Sequence, residues 1–178
     1  QDVLVRGMSV GAPPDMYNQV GQNWSQPPWH PWALADAGFA PFRDMVRQIL
    51  RHAGGIRVDH VLGLFRLWWI PDGNPANQGT YVTYDHEALV GILCLEAHRA
   101  GSLVIGEDLG TLEPWVQQLL RDRGVLGTSI LWFERREDGS IIDPEQWREL
   151  CLASVSVHDL PPTAGYLRGV HVELRDRL

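Results

Sequence analysis

The chain has 178 residues, of which 44% are hydrophobic and 21% charged, which is enough for one globular domain with a sizeable core. A formal net charge of −7 argues against binding to the phosphate backbone of nucleic acids. No apolar run approaches the ~20 residues of a membrane-spanning helix, so we expect no membrane partner. The first ten residues lack the basic and apolar regions of a signal peptide, and Cys94 and Cys151 fit reduced thiols, so we expect a cytoplasmic protein.

Tryptophan is unusually frequent in this chain, with eight residues, three of which lie close together at Trp24, Trp29 and Trp32. They belong to residues 1–32, whose content of Gly, Pro, Asn and Gln predicts loop rather than regular structure. A loop of this length in a compact chain is usually functional. Tryptophans in a loop offer flat surfaces for a ligand with an apolar face and polar edges, such as a sugar ring. We therefore predict a ligand-binding loop region over residues 1–40.

Regular elements are predicted from residue 41 onward. Pro41 suits the first turn of a helix, and Met45, Ile49 and Leu50 keep helical apolar spacing. Residues 72–80, "DGNPANQGT", predict a loop. The predicted order is helix 41–52, strand 55–60, helix 87–101, strand 102–108, helix 113–124, strand 127–134, short helix 143–150, strand 151–159, and a helix starting at residue 163.

The alternation of helices with continuous apolar strands predicts an α/β fold with a parallel sheet covered on both faces. Two architectures have this pattern, the (β/α)8 barrel and the open doubly wound sheet. A full barrel takes eight strands and typically about 250 residues. Because only four strands are predicted, a barrel could be present only in part. No internal repeat and no low-complexity segment is visible in the sequence.

Carboxylates follow three of the four predicted strands: Asp59 ends "RVD", Glu107 and Asp108 end "VIGED", and Asp159 ends "SVSVHD". The carboxyl ends of parallel strands face the active site in α/β proteins. Several carboxyl groups at close range cannot all ionise cheaply, so we expect at least one raised pKa. Glycoside chemistry needs one ionised carboxylate as nucleophile and one carboxylic acid as proton donor.

Two other interpretations of these carboxylates remain open. A single strand-end carboxylate is often a helix cap or a salt-bridge partner, and several together can bind Mg²⁺. Arg57 lies two residues before Asp59, on the same face of the strand, and a guanidinium there would compete with a metal ion. The histidines and cysteines show no ligand spacing, and no phosphate-binding or nucleophile-elbow motif occurs. We therefore expect neither a metal nor a cofactor.

Four blocks of the sequence carry a resemblance to a known family. They are "GAPPDMYNQVGQNWSQPPW", "GGIRVDHVLGLFRLWWIP", "VIGEDLGTLEPWV" and "SVHDLPPTAGYL", in this order along the chain. Their combination resembles the 4-α-glucanotransferases (amylomaltases or disproportionating enzymes) of glycoside hydrolase family 77, in the α-amylase clan. The resemblance implies a (β/α)8 barrel, of which this chain would supply strands 4 to 7 and a long active-site loop.

The resemblance also implies a role for each strand-end residue. Asp59 matches the nucleophile that forms a covalent glucosyl intermediate, and Glu107 matches the general acid/base. Asp159 matches the third carboxylate, which stabilises the transition state. Arg57 and His158 match residues that flank the sugar at the cleavage point.

The loop from Asp15 to Trp24 resembles the active-site loop of the same family. Tyr17, Gln22 and Trp24 would contact the acceptor sugar, and Asp15 belongs to the same substrate-binding set. One motif departs from the family: the usual Thr-His-Asp is Val157-His158-Asp159 here. The N-terminal strands and the last strand of the barrel have no counterpart in these residues. We therefore expect residues 1–178 to be a fragment of a catalytic domain, with the remainder of its own chain as a partner.

The expected activity is transfer of α-1,4-glucan segments to the 4-hydroxyl of an acceptor sugar, by a retaining double displacement. Maltooligosaccharides and glucans derived from starch or glycogen are the expected substrates. Two alternatives are kept. An α-amylase-like hydrolase would use the same carboxylates with water as acceptor, and an inactive carbohydrate-binding fragment would use the tryptophans alone.

Overall fold

A computed structural model describes residues 2–15, 18–110, 112–170 and 172. Helices and strands are mixed along the chain, which divides into two compact units, Gln1–Val125 and Leu126–Leu178. The predicted mixture of helices and strands is thereby confirmed. Within the described residues, no helix is both long enough and apolar enough to cross a membrane.

Among the residues that the structure describes, the first unit contains six strands and four α-helices. The strands are β1 (Met8–Ala12), β2 (Gln22–Asn23), β3 (Gly55–Val58), β4 (Arg66–Pro71), β5 (Thr80–Thr83) and β6 (Leu103–Gly106). The helices are α1 (Pro31–Asp36), α2 (Ala40–Leu50), α3 (His86–Ala100) and α4 (Pro114–Asp122). A 3₁₀ helix at Val61–Leu64 links β3 to β4.

The N-terminal region is not the loop that its composition predicted. Strands β1 and β2 join β4 and β5 in a four-stranded antiparallel sheet of order β2-β1-β4-β5. Met8 pairs with Pro71 and Gly11 with Trp68, so the partner of β1 lies about sixty residues away in the chain. This pairing satisfies the backbone groups of a segment that has no helical or alternating pattern of its own. The prediction of mostly loop over residues 1–32 was therefore wrong for β1 and β2. The prediction of four strands was also wrong, since the described residues form eight.

The strands predicted at 55–60 and 102–108 are confirmed as a parallel pair, β3 and β6. Gly55 lies opposite Leu103, and Val58 lies opposite Gly106. The long helix predicted over 87–101 is α3, which Asp85 caps through its side chain and Gly101 ends with a left-handed φ of 62°. Helices α2 and α3 cover this strand pair and contribute seven of the sixteen buried residues described in its apolar core.

Helix α2 turns a different face inward from the one expected. Phe42, Val46 and Leu50 are its buried residues, whereas Met45 and Ile49 are each 42% exposed. The apolar residues of α2 form two adjacent stripes on the helix surface. Packing against α3 buries the stripe that contains Phe42 and Val46 and leaves the one that contains Met45 and Ile49 exposed. The core of the first unit also contains Leu34, Val61, Phe65, Leu93 and Val104.

The second unit contains a second parallel pair, β7 (Gly127–Ile130) and β8 (Cys151–Ser154), followed by the short helix α5 (Thr163–Leu167). Both strands begin where the sequence predicted them, but they end at Ile130 and Ser154, short of the predicted ends at residues 134 and 159. Asp159 therefore does not directly follow β8, as the sequence had predicted. The helix predicted over 143–150 is only a 3₁₀ turn at Pro144–Gln146, so that prediction was wrong in length and type. Asp143 pairs with Arg136 at 3.3 Å instead of capping a helix.

Candidate active site

The parallel register of β3 and β6 brings two carboxylates to the same edge of the strand pair. Val58 and Gly106 are the last paired residues, and Asp59 and Glu107 follow them directly. The backbone N–H of Glu107 donates to Val58 O at 2.9 Å, so pairing continues into the residue that carries the carboxyl group. The strand ends therefore hold Asp59 and Glu107 side by side, as their positions in the sequence predicted.

Gly106 permits the close approach of the chain that follows β3. A Cβ at this position would lie 3.1 Å from Val61 Cγ2 and 3.2 Å from two other atoms of the same side chain. Without a side chain at Gly106, the 3₁₀ turn packs directly over β6, and Val61 N donates to Glu107 O at 3.0 Å. The backbone of Glu107 is thus hydrogen-bonded on both sides to the β3 segment.

Asp59 forms an ion pair with Arg57. Nη1 of Arg57 donates to Oδ1 of Asp59, and the two residues lie on one face of the strand end. The Asp59 side chain is 60% exposed, whereas that of Arg57 is 26% exposed. The second guanidinium nitrogen of Arg57, Nη2, is buried and makes no hydrogen bond within the described residues. An exposed carboxylate backed by a guanidinium is available to attack an electrophilic carbon.

Both side-chain oxygens of Glu107 accept backbone hydrogen bonds. His60 N donates to Oε2 at 2.9 Å, and Leu109 N donates to Oε1 at 2.8 Å. Burial raises the pKa of the Glu107 carboxyl, and the neighbouring charge of Asp59 raises it further. The two backbone donors and Arg57 act in the opposite direction. The net rise keeps a proton on Glu107 to higher pH than on an ordinary glutamate, which suits a general acid.

Trp24 and Gln22 lie in the β2 segment of the same unit. Trp24 Nε1 donates to Gln22 Oε1 at 3.0 Å, and Trp24 N donates to Val10 O at 2.9 Å. The Trp24 ring meets the ring of His60 edge-on, with centroids 5.1 Å apart. His60 therefore contacts Trp24 with its ring and the carboxyl group of Glu107 with its backbone N–H. Gln22 belongs to the same group of residues through its hydrogen bond with Trp24.

The remaining predicted residues are distributed as follows. Asp15 accepts a hydrogen bond from Asn18 N at 2.6 Å in the turn between β1 and β2. Tyr17 lies outside the described residues. His158 and Asp159 belong to the second unit, where His158 Nε2 lies 3.4 Å from Asp159 Oδ2 and both side chains are more than 60% exposed. Asp108 is 7% exposed, next to Glu107.

Sequence analysis assigned no functional role to His60, although the structure puts it at the centre of these contacts. His60 adopts a left-handed backbone conformation with φ 46° and ψ 61°. Only its position directly after Asp59 could have drawn attention to it. Among the described residues, no group of three His, Cys, Asp or Glu side chains is arranged as metal ligands would be.

The fold and the site together define a mixed helix–strand protein with paired carboxylates at parallel strand ends. A sequence profile of the family described as 4-alpha-glucanotransferase, glycoside hydrolase family 77, matches residues 1–177. The chain belongs to this family, as its sequence motifs indicated.

Individual relatives agree with the family assignment. A 4-alpha-glucanotransferase of Mycobacterium tuberculosis is 62% identical over 182 residues, covering 100% of this chain and 25% of the relative. One from Haemophilus influenzae is 39% identical, covering 99% of this chain and 25% of the relative. The chain thus spans about a quarter of the length of these curated relatives.

Two solved structures are similar to this chain. The crystal structure of amylomaltase from Corynebacterium glutamicum matches with a TM-score of 0.91 and 60% identity, covering 98% of this chain and 25% of that protein. An amylomaltase from Streptococcus agalactiae, in complex with acarbose, matches with a TM-score of 0.78 and 24% identity, covering 96% of this chain and 34% of that protein. The second likeness bears on the fold alone.

Proposed function

We propose that the protein containing this chain is a 4-α-glucanotransferase that cleaves an α-1,4-glucan and passes one segment to an acceptor sugar. The main supporting observation is that Asp59 and Glu107 lie side by side, at the ends of the adjacent strands β3 and β6. Asp59 is exposed and ion-paired with Arg57, whereas Glu107 is half-buried with a raised pKa. Membership of the 4-alpha-glucanotransferase family supports the same conclusion. The expected substrates are maltooligosaccharides and glucans derived from starch or glycogen.

In the first half of the reaction the two carboxyl groups have different roles, with Glu107 as the proton donor and Asp59 as the nucleophile. Glu107 donates its proton to the glycosidic oxygen, and the departing segment leaves with its 4-hydroxyl restored. Asp59 attacks the anomeric carbon and forms a covalent glucosyl ester. A retaining mechanism requires the two carboxyl groups about 5–5.5 Å apart. Arg57 supports Asp59 in this step through the hydrogen bond from its Nη1 to the carboxylate.

The second half of the reaction transfers the glucosyl group to an acceptor. Glu107, now ionised, removes the proton of the acceptor 4-hydroxyl, which displaces Asp59 from the anomeric carbon. Trp24 and Gln22 provide an aromatic face with an amide at its edge, which suits a sugar ring. Tyr17 and Asp15 complete this acceptor loop in our proposal. Transfer exceeds hydrolysis when the acceptor excludes water from the line of attack.

The second unit supplies two further residues in this proposal. Asp159 acts as the carboxylate that stabilises the cationic transition state, and His158 contacts a hydroxyl of the sugar at the cleavage point. Their proximity, with 3.4 Å between His158 Nε2 and Asp159 Oδ2, and their exposure support a surface that receives substrate. The family motif around them supports the same roles, with Val157 in place of the usual threonine.

The fold proposed for the complete catalytic domain is a (β/α)8 barrel. Strands β3, β6, β7 and β8 would be its strands 4 to 7, which the two parallel pairs support. Residues 1–178 would then belong to one domain, completed by the rest of the polypeptide. We also propose a cytoplasmic location, because Cys94 and Cys151 are both free thiols in the described structure.

The test is the product pattern from maltotriose. Transfer gives glucose together with maltodextrins longer than maltotriose, whereas a hydrolase gives only shorter products. Asp59→Asn should abolish turnover, because an amide cannot form the glucosyl ester. Asp36→Asn, at an exposed position at the end of α1, serves as the matched control and should keep wild-type activity. Robust transfer by Asp59→Asn would overturn the proposed nucleophile.

A further inference from the structure

We propose that a cavity between the ends of α2 and α3 binds a phosphate monoester of the size of a sugar phosphate. The cavity has a volume of about 450 Å³ and is lined by Arg47, Leu50, Arg51, Glu96, Arg99 and Ala100. Pockets that hold small molecules have volumes of ~300–1,000 Å³, so this cavity has room for such a ligand. The inference goes beyond the proposed function and does not depend on it.

The cavity lies at the opposite end of the strand pair from the candidate catalytic residues. Helix α2 ends at Leu50, shortly before β3 begins, and α3 ends at Ala100, shortly before β6 begins. Asp59 and Glu107 follow the last paired residues of these same two strands. A ligand in the cavity would therefore not occupy the place where we expect the glucan to be cleaved.

Hydrogen bonds join the two segments that follow the helices. Ser102 Oγ donates to Ala53 O at 3.0 Å, and Leu103 N donates to Gly54 O at 3.0 Å. The ends of α2 and α3 are thus tied to each other by contacts that involve no ligand. Because the walls of the cavity are held in place beforehand, less conformational entropy is lost on binding.

The one carboxylate among the residues that line the cavity is already neutralised. Glu96 is 3% exposed, and its Oε2 accepts a hydrogen bond from Arg47 Nε at 2.8 Å. Its Oε1 accepts from Arg47 Nη2 and from Arg99 Nη1, each at 2.9 Å. The hydrogen bond from Arg47, together with that from Arg99, holds the pKa of Glu96 at about 2. Glu96 therefore contributes one full negative charge at neutral pH.

The cavity carries an excess of positive charge, although the formal net charge of the chain is −7. Three guanidinium groups and one carboxylate line it, which leaves two positive charges. The C-terminal ends of α2 and α3 offset this excess by about half a charge each. About one positive charge remains without a counter-charge among the lining residues, so the cavity favours an anion.

Guanidinium nitrogens that line the cavity remain available to a ligand. Arg51 makes one long hydrogen bond, from Nη1 to Gln48 Oε1 at 3.4 Å, and Arg99 donates to Glu96 through Nη1. Within the part of the chain that the structure describes, the other nitrogens of these two arginines have no acceptor.

The kind of anion follows from these donors and from the size of the cavity. The planar fork of an arginine matches the spacing of phosphate oxygens. A phosphate monoester carries a charge of about −1.5 to −2 and three acceptor oxygens, so it engages more of the donors than a carboxylate would. Leu50 and Ala100 add apolar surface for the organic group that the phosphate bears.

The test is isothermal titration calorimetry on the complete protein containing this chain, with glucose 6-phosphate and inorganic phosphate as probes. We expect saturable binding of both, with inorganic phosphate the weaker because it lacks the sugar. Arg51→Gln and Arg99→Gln should each weaken the binding of glucose 6-phosphate by about 10- to 100-fold, the value of a hydrogen bond to a charged group. Arg51→Lys should lie between Arg51→Gln and the wild type, because it keeps the charge but loses the fork.

Arg43→Gln is the matched control on the same helix. Arg43 pairs with Asp44 at 2.8 Å and does not line the cavity, so its loss should leave the affinity unchanged. Arg51 and Arg99 are both exposed, so their variants should fold, and their urea midpoints without ligand check this. The urea midpoint of the wild type should rise with glucose 6-phosphate, a measurement that needs no variant.

Four outcomes would overturn the inference. The first is the absence of saturable binding in the wild type, as expected if an acidic segment of the remaining polypeptide fills the cavity. The second is an unchanged affinity in Arg51→Gln and Arg99→Gln, which would put the probe elsewhere. The third is an equal loss in Arg43→Gln, which would indicate general attraction to surface charge. The fourth is inorganic phosphate binding as tightly as glucose 6-phosphate. Failure to lengthen maltotriose is a separate result, which rejects only the proposed function.

Discussion

Replacing Tyr84 with Phe tests how the antiparallel sheet is joined to the segment before α1. Tyr84 is 7% exposed and follows β5. Its hydroxyl accepts a hydrogen bond from Trp69 Nε1 at 3.2 Å and donates one to Trp29 O at 2.9 Å. The phenylalanine keeps the ring in the core but removes both bonds, so the change isolates the hydroxyl group.

The cost of this substitution follows from the two lost hydrogen bonds. Each is worth about 1 kcal/mol net, and each also leaves a partly buried partner unsatisfied. We expect a loss of about 2 kcal/mol in the free energy of unfolding, or ~1 M in the urea midpoint for an m value of ~2 kcal/mol/M. Burial raises the pKa of Tyr84 to about 12, and the hydrogen bond from Trp69 opposes this rise. The hydroxyl therefore keeps its proton, and the loss should not vary across the neutral pH range.

Urea denaturation followed by tryptophan fluorescence measures the difference. Tyr81→Phe is the matched control, because Tyr81 lies on β5, is 45% exposed and meets the Trp68 ring edge-on through its own ring. Its midpoint should change by less than the equivalent of ~0.5 kcal/mol. Equal midpoints for the two phenylalanine variants would refute the assignment of stability to the buried hydroxyl.

Two further predictions concern α3. Leu93 is 1% exposed, so Leu93→Ala should lower the free energy of unfolding by about 2–5 kcal/mol. Leu95 is 46% exposed on the same helix, so Leu95→Ala should lower it far less. Equal losses in the two variants would contradict the burial of Leu93 in the core. The hydrogen bond from Arg47, together with Arg99, holds the pKa of Glu96 at about 2, below its ordinary value of 4.5. Because this pKa is depressed on folding, the stabilisation is present above pH ~4.5 and is lost as the pH falls through ~2. The advantage of the wild type over Glu96→Gln in urea midpoint should therefore shrink between about pH 5 and pH 2, and a constant difference would argue against the ion pair as its source.

The local elements were predictable because their signals lie within a few residues. Gly101 and Gly124 marked the ends of α3 and α4, and Pro114 marked the start of α4. Continuous apolar runs located β3, β6, β7 and β8. The short segment at Pro144–Gln146 shows the limit of such signals, since its proline and aspartate indicated a helix that does not extend beyond one turn.

The antiparallel sheet was not predictable from local pattern. Strand β1 consists of five residues, "MSVGA", and its partner β4 is about sixty residues further along the chain. Strand preference depends on packing against neighbours more than on the residues themselves. The composition of residues 1–32 therefore suggested mostly loop, although pairing with β4 makes part of this segment a strand.

The sequence by itself determined the mixture of helices and strands, the family, and the positions of Asp59 and Glu107 at the ends of two paired parallel strands. Each of these follows from residue order within short segments. Only the tertiary structure decided that Glu107 is half-buried with both oxygens hydrogen-bonded, and that His60 joins it to Trp24. The physical reason is that burial, hydrogen bonding and the resulting pKa depend on atoms brought together from distant positions. A left-handed residue such as His60 is likewise held by partners outside its own segment.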